Sequence, residues 1–415
     1  MASFARVIGD GVLDGLRVVE GSAFVAAPSG GMALAQLGAE VVRFDRIGGG
    51  IDYGRWPLTA EGRSLYWAGL NKGKKSVAVN LRDPAAHELL SELIGAAGTF
   101  LTNFPAQGWM APERLTARRS DLVMVAITGN RDGTTAVDYT VNAAVGFPMV
   151  TGPADLDDPI NSVLPAWDLL CGQTAAVGIL AAERRRLLTG DGSVMMLALS
   201  DVALAATAAL GYVAEVQVNG AIRPRCGNDL YGAFGVELST ADERRLYAVG
   251  ISGRQWASLV EATESEAAVA EIALARGLDF TDEGNRYEAR HEIKAVMQEW
   301  AGARSFAETA ERLDALGVCW GPYQTFAELV ENDGRCSPAA GLFREVDQPG
   351  IGPYLVPGSP LAFAPGPGMG PDALGDAATA PVLGQHTDEV LAGWLGLSAG
   401  EIGRLHDAGV VAAGS

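Results

Sequence analysis

Residues 16–44 read LRVVEGSAFVAAPSGGMALAQLGAEVVRF, and the fold follows from this stretch. It contains a β-branched run at 16–20, a helical stretch near 29–38 and a second β-branched run at 40–44. Two short apolar strands joined by a helix form a βαβ unit, and such a crossover makes the strands parallel. The pattern continues outward with SVAVN at 76–80, a helix from Pro84, TFLT at 99–102 and LVMVAI at 122–127. Strands alternating with helices predict an α/β fold built on a Rossmann-like open parallel sheet.

In such a sheet ligands lie beyond the carboxyl ends of the strands, so residues 21–28, 46–53 and 103–107 carry the information about binding. The first turn, EGSAFVAAPSGG at 20–31, lacks the G-x-G-x-x-G spacing that lets backbone approach a pyrophosphate, which argues against NAD or FAD. The loop DRIGGGIDYGRWP at 45–57 either cradles phosphate or simply turns. NKGKKS at 71–76 is either a solvated turn or, with Arg43, Arg46 and Arg55, a cluster that attracts phosphate.

Two long helical patterns follow, at 169–188 and 194–217. Asp201 and Glu215 interrupt the second, which reads as a long buried helix rather than a membrane span. The character changes at 219–235, and a smaller α+β domain is expected over 225–325, with a strand at 245–251 and helices around 255–263, 290–303 and 306–316. The large domain is then 1–218, completed by 335–415. Residues 326–371 are expected to be a linker, Pro/Gly-rich and without helical period over 348–371, and another helix starts at about 387.

A chain of 415 residues with 48% hydrophobic and 20% charged residues suits a two-domain enzyme. Its net charge of −19 argues against nucleic-acid or anionic-membrane partners, since both require a positive field. The widely spaced Cys171, Cys226, Cys319 and Cys336 lack metal-site spacing and predict free thiols in a reducing cytoplasm. The first residues lack a long apolar run, so no secretory signal is expected.

Histidine is scarce: His87, His291, His386 and His406 all lie away from strand ends, and there is no G-x-S-x-G elbow. Triad hydrolysis is therefore disfavoured. Cys171 reads as a small buried hydrophobe. Asp168 stands at the start of the helical pattern 169–188. One reading makes it a helix cap. The other makes it a nucleophile, because a carboxylate is ionised at neutral pH and attacks a thioester without a partner base. Backbone N–H groups at the helix start, or in the CGND turn at 226–229, could then stabilise the oxyanion.

The segments 13–46, 71–84, 102–109, 138–146, 167–192 and 384–398 together resemble the family III CoA-transferases, in that family's order and spacing. The motifs RFDRIGGGIDYGRWP, WAGLNKGKKS, VDYTVN, LPAWDLLCGQ, GNDLYGAFG and DQPGIG are similar to the branch that moves CoA between the two carboxyl groups of one mesaconate. The resemblance implies an interlocked homodimer of ring-shaped subunits acting on a small acyl-CoA. CoA is carried as the substrate thioester, with no metal and no nucleotide cofactor. It assigns Asp168 as the covalent carrier, Phe24, Val25, Ala26, Arg46, Asn103 and Phe104 to CoA, and Tyr139 to the acyl group. From the lysine cluster Lys74 is taken as a CoA contact, and Gly227 and Asn228 of the CGND turn as substrate contacts.

The chain departs from formyl-CoA transferases at Ala23, where they have a histidine, and at Val137, where they have a lysine. Residues 130–139 contain no histidine, and racemisation next to a thioester needs that base. The remaining alternatives are transfer between separate acids, racemisation of a 2-methylacyl-CoA, and CoA binding without catalysis.

Overall fold

The computed structural model describes residues 11–361 and 378–414. The apolar runs form β1 (Arg17–Gly21), β2 (Glu40–Arg46), β3 (Lys75–Val79), β4 (Thr99–Thr102), β5 (Val123–Thr128) and β6 (Ser193–Ala198). These six strands are parallel, in the order β3-β2-β1-β4-β5-β6, and the short strand Val411–Ala412 pairs antiparallel with β3 at the edge. The strand order reverses between β1 and β4, where an open α/β sheet forms its ligand crevice.

Helices pack onto this sheet because their apolar faces need cover. Leu89, Leu90, Leu93 and Ile94 of the helix Pro84–Ala97 join Val42, Phe44, Val77, Phe100 and Met124 in one core, completed from the C-terminal region by Val390, Leu391 and Val411. Asp83 caps that helix through the Ala85 N–H at 2.9 Å, and Pro84 opens it with φ already suited to a helix.

The expected single helix over 194–217 is instead β6 followed by two helices, Leu199–Ala209 and Tyr212–Asn219, bent by 58°. Residues 193–198 complete the sheet by pairing in register with β5, from Val123 with Ser193 to Thr128 with Ala198. Gly211, at φ +83°, separates the two helices. The expected burial fails too, for Leu204, Leu210, Val216 and Val218 are exposed. Among the described residues no single helix is long and apolar enough to cross a membrane.

The chain divides into two compact units. The first takes residues up to Val145, Ser162–Asn219 and Asp333 onward; the second takes Gly146–Asn161 and Gly220–Asn332. The second unit therefore includes a segment, 146–161, that the expected boundaries gave to the large domain, and it runs on past 325. Its three antiparallel strands, β7 (Gly235–Ser239), β8 (Arg245–Val249) and β9 (Cys319–Pro322), pack Phe234, Val236 and Leu246 against Leu259, Ile293, Met297 and Leu313 of its helices. The expected linker holds structure of its own: a helix at Phe326–Asn332 and a hairpin of β10 (Phe343–Gln348) and β11 (Gly352–Pro357). Its last part, from 362, lies outside the described residues.

Candidate active site

Three strand-end loops of the first unit are tied together at the sheet's reversal point. Asn103, just after β4, accepts the Ala23 N–H through Oδ1 at 2.9 Å and donates from Nδ2 to the Ala23 carbonyl at 2.6 Å. Asp52, in the loop after β2, accepts the Phe24 N–H with both oxygens, at 3.0 and 3.1 Å. Phe24 is thereby held at φ +66°, a backbone region costly for a bulky side chain. A cavity of about 370 Å³ opens beyond these strands, lined by Phe24, Asn103, Phe104, Thr128, Gly129 and Val137.

Beneath the first loop lies a sealed set of charges. Arg43 donates to Asp45 at 3.0 Å, to Asp52 at 3.0 Å, to the Ser22 carbonyl at 2.9 Å and to Asn71 at 3.2 Å. Burial opposes its charge, but Asp45, Glu20 and Asp52 outweigh that effect and raise its pKa. Lys74 is buried as well, donating to Glu20 at 2.9 Å, the Pro28 carbonyl at 2.8 Å and Asn71 at 2.9 Å. An ammonium has three donors, so Lys74 keeps none for a CoA phosphate, and the contact expected from it is corrected to an internal one. Burial is the main reason its pKa drops to about 8.

The rest of the basic cluster divides in the same way. Lys72 is buried with Nζ on the Gly69 carbonyl, and Lys75 pairs with Glu40 at 2.5 Å and Glu389 at 2.8 Å. Arg46 is the exception among the expected CoA residues: exposed at the end of β2, it gives its Nε to the Gly49 carbonyl at 2.5 Å. Val25 and Ala26 are buried, so what they offer is backbone at the start of the helix Ala26–Gln36, which has no side-chain cap.

Asp168 sits in the first turn of the helix Ala166–Thr189. That helix crosses Ala26–Gln36 backbone to backbone: a Cβ on Gly172 would fall 2.1 Å from Ser29 Oγ and 2.5 Å from the Ala26 carbonyl. Glycine at 172 thus brings the uncapped helix start alongside the turn that carries Asp168. The Asp168 N–H is accepted by Asp138 at 2.9 Å, and Trp167 Nε1 donates to Asn142 at 3.0 Å.

The Asp168 carboxylate itself accepts no hydrogen bond among the described residues, which removes its reading as a cap. Burial, with the neighbouring Asp138 charge, pushes its pKa up to about 6, against the opposite pull of Arg55. Asp138 is raised too, chiefly by burial. Cys171, one turn further on, is fully buried, and burial first and then Asp168 take its thiol to about 12, which fits an inert core residue.

Two groups that the sequence reading did not single out as a pair complete the site. The Arg55 guanidinium lies 5.1 Å from the Phe24 ring centroid and 4.7 Å from that of Tyr66. Tyr66 feels the charges of Arg55, Asp52 and Asp168 and the proximity of Tyr139, while burial dominates in raising its pKa to about 12. Tyr139 is 46% exposed at the start of the helix Asp138–Ala144. Both Arg55 and Tyr66 lie within the segments 45–57 and 65–70, where an aromatic and a cation next to a Gly-rich loop were the available signal.

Gly227 and Asn228 belong to the second unit and are engaged within it. The Gly227 N–H donates to the Gly152 carbonyl at 3.0 Å, and Asn228 donates to Glu237. Gly227 therefore has no N–H left for an oxyanion. Among the described residues no group of three or more His, Cys, Asp or Glu side chains could hold a metal ion.

The sequence pattern of CoA-transferase family III matches residues 13–387. The chain belongs to this family. This CoA-transferase is 52% identical over 407 residues to the 2-methylfumaryl-CoA isomerase of Chloroflexus aurantiacus, covering 97% of this chain and 98% of that one. It is 28% identical to the succinyl-CoA:mesaconate CoA-transferase of Haloarcula marismortui, over 92% of this chain and 96% of that one. In structure it is similar to a CAIB/BAIF family protein from Brucella suis, with a TM-score of 0.72 and 24% identity, covering 92% of this chain and 99% of the other. Family III CoA-transferases act on CoA thioesters, which matches a unit that holds both a strand-end cavity and, in Asp168, a carboxylate free of hydrogen bonds.

Proposed function

We propose that this enzyme is a 2-methylfumaryl-CoA isomerase, moving CoA between the two carboxyl groups of one mesaconate. The observation that carries the chemistry is the Asp168 carboxylate, half-buried and without a structural hydrogen bond. The substrate follows from 52% identity over nearly the whole of both chains.

In this reading Asp168 attacks the thioester carbonyl at carbon 1, giving a mixed anhydride and CoA thiolate. The thiolate attacks the Asp168 carbonyl carbon, forming an aspartyl-CoA thioester and releasing mesaconate within the pocket. The carboxylate at carbon 4 then attacks that thioester, expelling CoA thiolate again. CoA finally attacks the acyl carbon, yielding 3-methylfumaryl-CoA and restoring the Asp168 carboxylate. No water and no net proton enter. Retaining the acid gives it a high effective concentration, which favours its return to the same CoA. The uncapped N–H groups at the start of Ala26–Gln36 are assigned to the tetrahedral oxyanions, and Arg46, Asn103, Phe104 and Phe24 to CoA. Tyr139 is assigned to the acyl group.

Mass spectrometry of enzyme quenched with 2-methylfumaryl-CoA tests the covalent step: an adduct on Asp168 is expected, and its absence refutes the carrier. Turnover in labelled free mesaconate tests the route. Product without label supports internal transfer; label entering at the rate of turnover makes the enzyme an intermolecular transferase.

We further infer a homodimer, since Val177, Leu187, Leu188, Leu210, Val216 and Val218 leave apolar side chains exposed on the helices after β5 and β6. Light scattering should return twice the 43.1 kDa chain mass.

A further inference from the structure

Arg43 and Arg55 lie close in sequence and are treated oppositely by the fold. Arg43 is saturated with acceptors. Arg55 makes no ion pair and no side-chain hydrogen bond among the described residues, and its Nε is buried without a partner. The Tyr66 hydroxyl beside it is also buried and unpartnered. Two donors left unsatisfied in one place are costly, and a site that accepts the cost is shaped for a ligand acceptor.

The guanidinium packs on the rings of Phe24 and Tyr66, at 5.1 and 4.7 Å from their centroids, so it is held in place before any ligand arrives. Phe24 is in turn fixed by Asp52 and lines the strand-end cavity. Asp168 and Arg55 feel one another's charge, and Asp168 and Tyr66 do as well. Asp168, Arg55 and Tyr66 therefore share one electrostatic site.

We propose that Arg55 and Tyr66 form the subsite for the free carboxylate of a dicarboxylic acyl-CoA. Resting on the isomerase reading, this names what holds the end of the acid that does not carry CoA. A guanidinium fork and a phenol together offer a carboxylate bidentate and single hydrogen bonds, whereas a monocarboxylic acyl group would leave both donors bare. Internal transfer uses the subsite twice. It holds the carboxylate of carbon 4 while CoA sits on carbon 1, and that of carbon 1 after the exchange, so the same pair serves substrate and product.

The test is binding of two inert CoA thioethers, one bearing the mesaconyl skeleton with its free carboxylate and one with a methyl group in its place. The unaltered enzyme should prefer the carboxylate form by about 10- to 100-fold, the range of charge-assisted hydrogen bonds. Arg55→Gln should abolish that preference, Arg55→Lys should restore part of it, and Tyr66→Phe should reduce it by about fivefold. If Arg55→Gln does not fold, Tyr66→Phe and Arg55→Lys still decide, because each keeps most of the side chain. An unchanged preference in these variants overturns the subsite. Adduct formation on Asp168 is scored separately with the thioester, so failure of the covalent carrier is read independently of failure of the carboxylate site.

Discussion

Asp52 grips the Phe24 N–H with both carboxylate oxygens while its Oδ2 takes Arg43 at 3.0 Å, so one side chain both anchors the first loop and neutralises a buried cation. The left-handed backbone at Phe24 costs about 1–2 kcal/mol, and this anchor sustains it. Asp52→Ala takes one of the buried carboxylates from Arg43 and frees the loop. A stability loss of about 3–5 kcal/mol is expected in urea unfolding, with KM for the acyl-CoA rising more than kcat falls. Asp52→Asn, which keeps an acceptor, should do less of both.

Asp168→Asn should abolish turnover yet stabilise the fold at neutral pH. The native carboxyl sits at about 6 against an ordinary 3.8, so the folded state binds the proton more tightly than the unfolded one. Stability from this group is full below 3.8 and is lost as pH rises through about 6. At pH above that range the variant should gain about 1–2 kcal/mol after screening, and thermal melts of the two proteins should converge in acid.

The same ionisation sets an acid limb on kcat/KM, which should fall about tenfold per pH unit below about 6. Asp138→Asn removes a repelling charge and should move the limb to lower pH, with burial still holding it above 3.8. Arg55→Lys keeps the opposing charge and should shift the limb little. Superimposed acid limbs for unaltered enzyme and Asp138→Asn would contradict this assignment.

Gly172→Ala forces a methyl into Ser29 Oγ and the Ala26 carbonyl, at 2.1 and 2.5 Å. Separating the two helices should cost about 1–3 kcal/mol by calorimetry. It should also lower kcat, because the start of Ala26–Gln36 moves away from the Asp168 turn. Gly178→Ala, where the nearest atom is Met195 Sδ at 3.6 Å, is the control on the same helix.

The parallel sheet was legible because β-branched runs at 16–20, 40–44, 76–80, 99–102 and 122–127 repeat with helical spacing between them. Residues 193–198 escaped, since SVMMLA continues into an Ala-rich helix and only its pairing with β5 makes it a strand. Asp168 stood out by its place at a helix start. Lys74 and Arg43 misled, because a lysine cluster before a strand looks solvated, whereas Glu20, 54 residues from Lys74, and Asp45 and Asp52, near Arg43 in sequence, draw these cations inside. Tyr66 gave only the faint signal of an aromatic near a Gly-rich loop, and Asp138 none that separated it from a helix start. Their roles come from contacts made across long separations, as in the bond between Asp138 and the Asp168 N–H.

Glu20, Arg43, Asp45, Asp52 and Lys74 compensate one another out of reach of solvent, so a change at one of them maroons its neighbours. Such a group drifts as a set or stays as it is. A designer who wants a new acid accepted should leave that bed alone and recut the surface at Arg55, where no internal debt is owed.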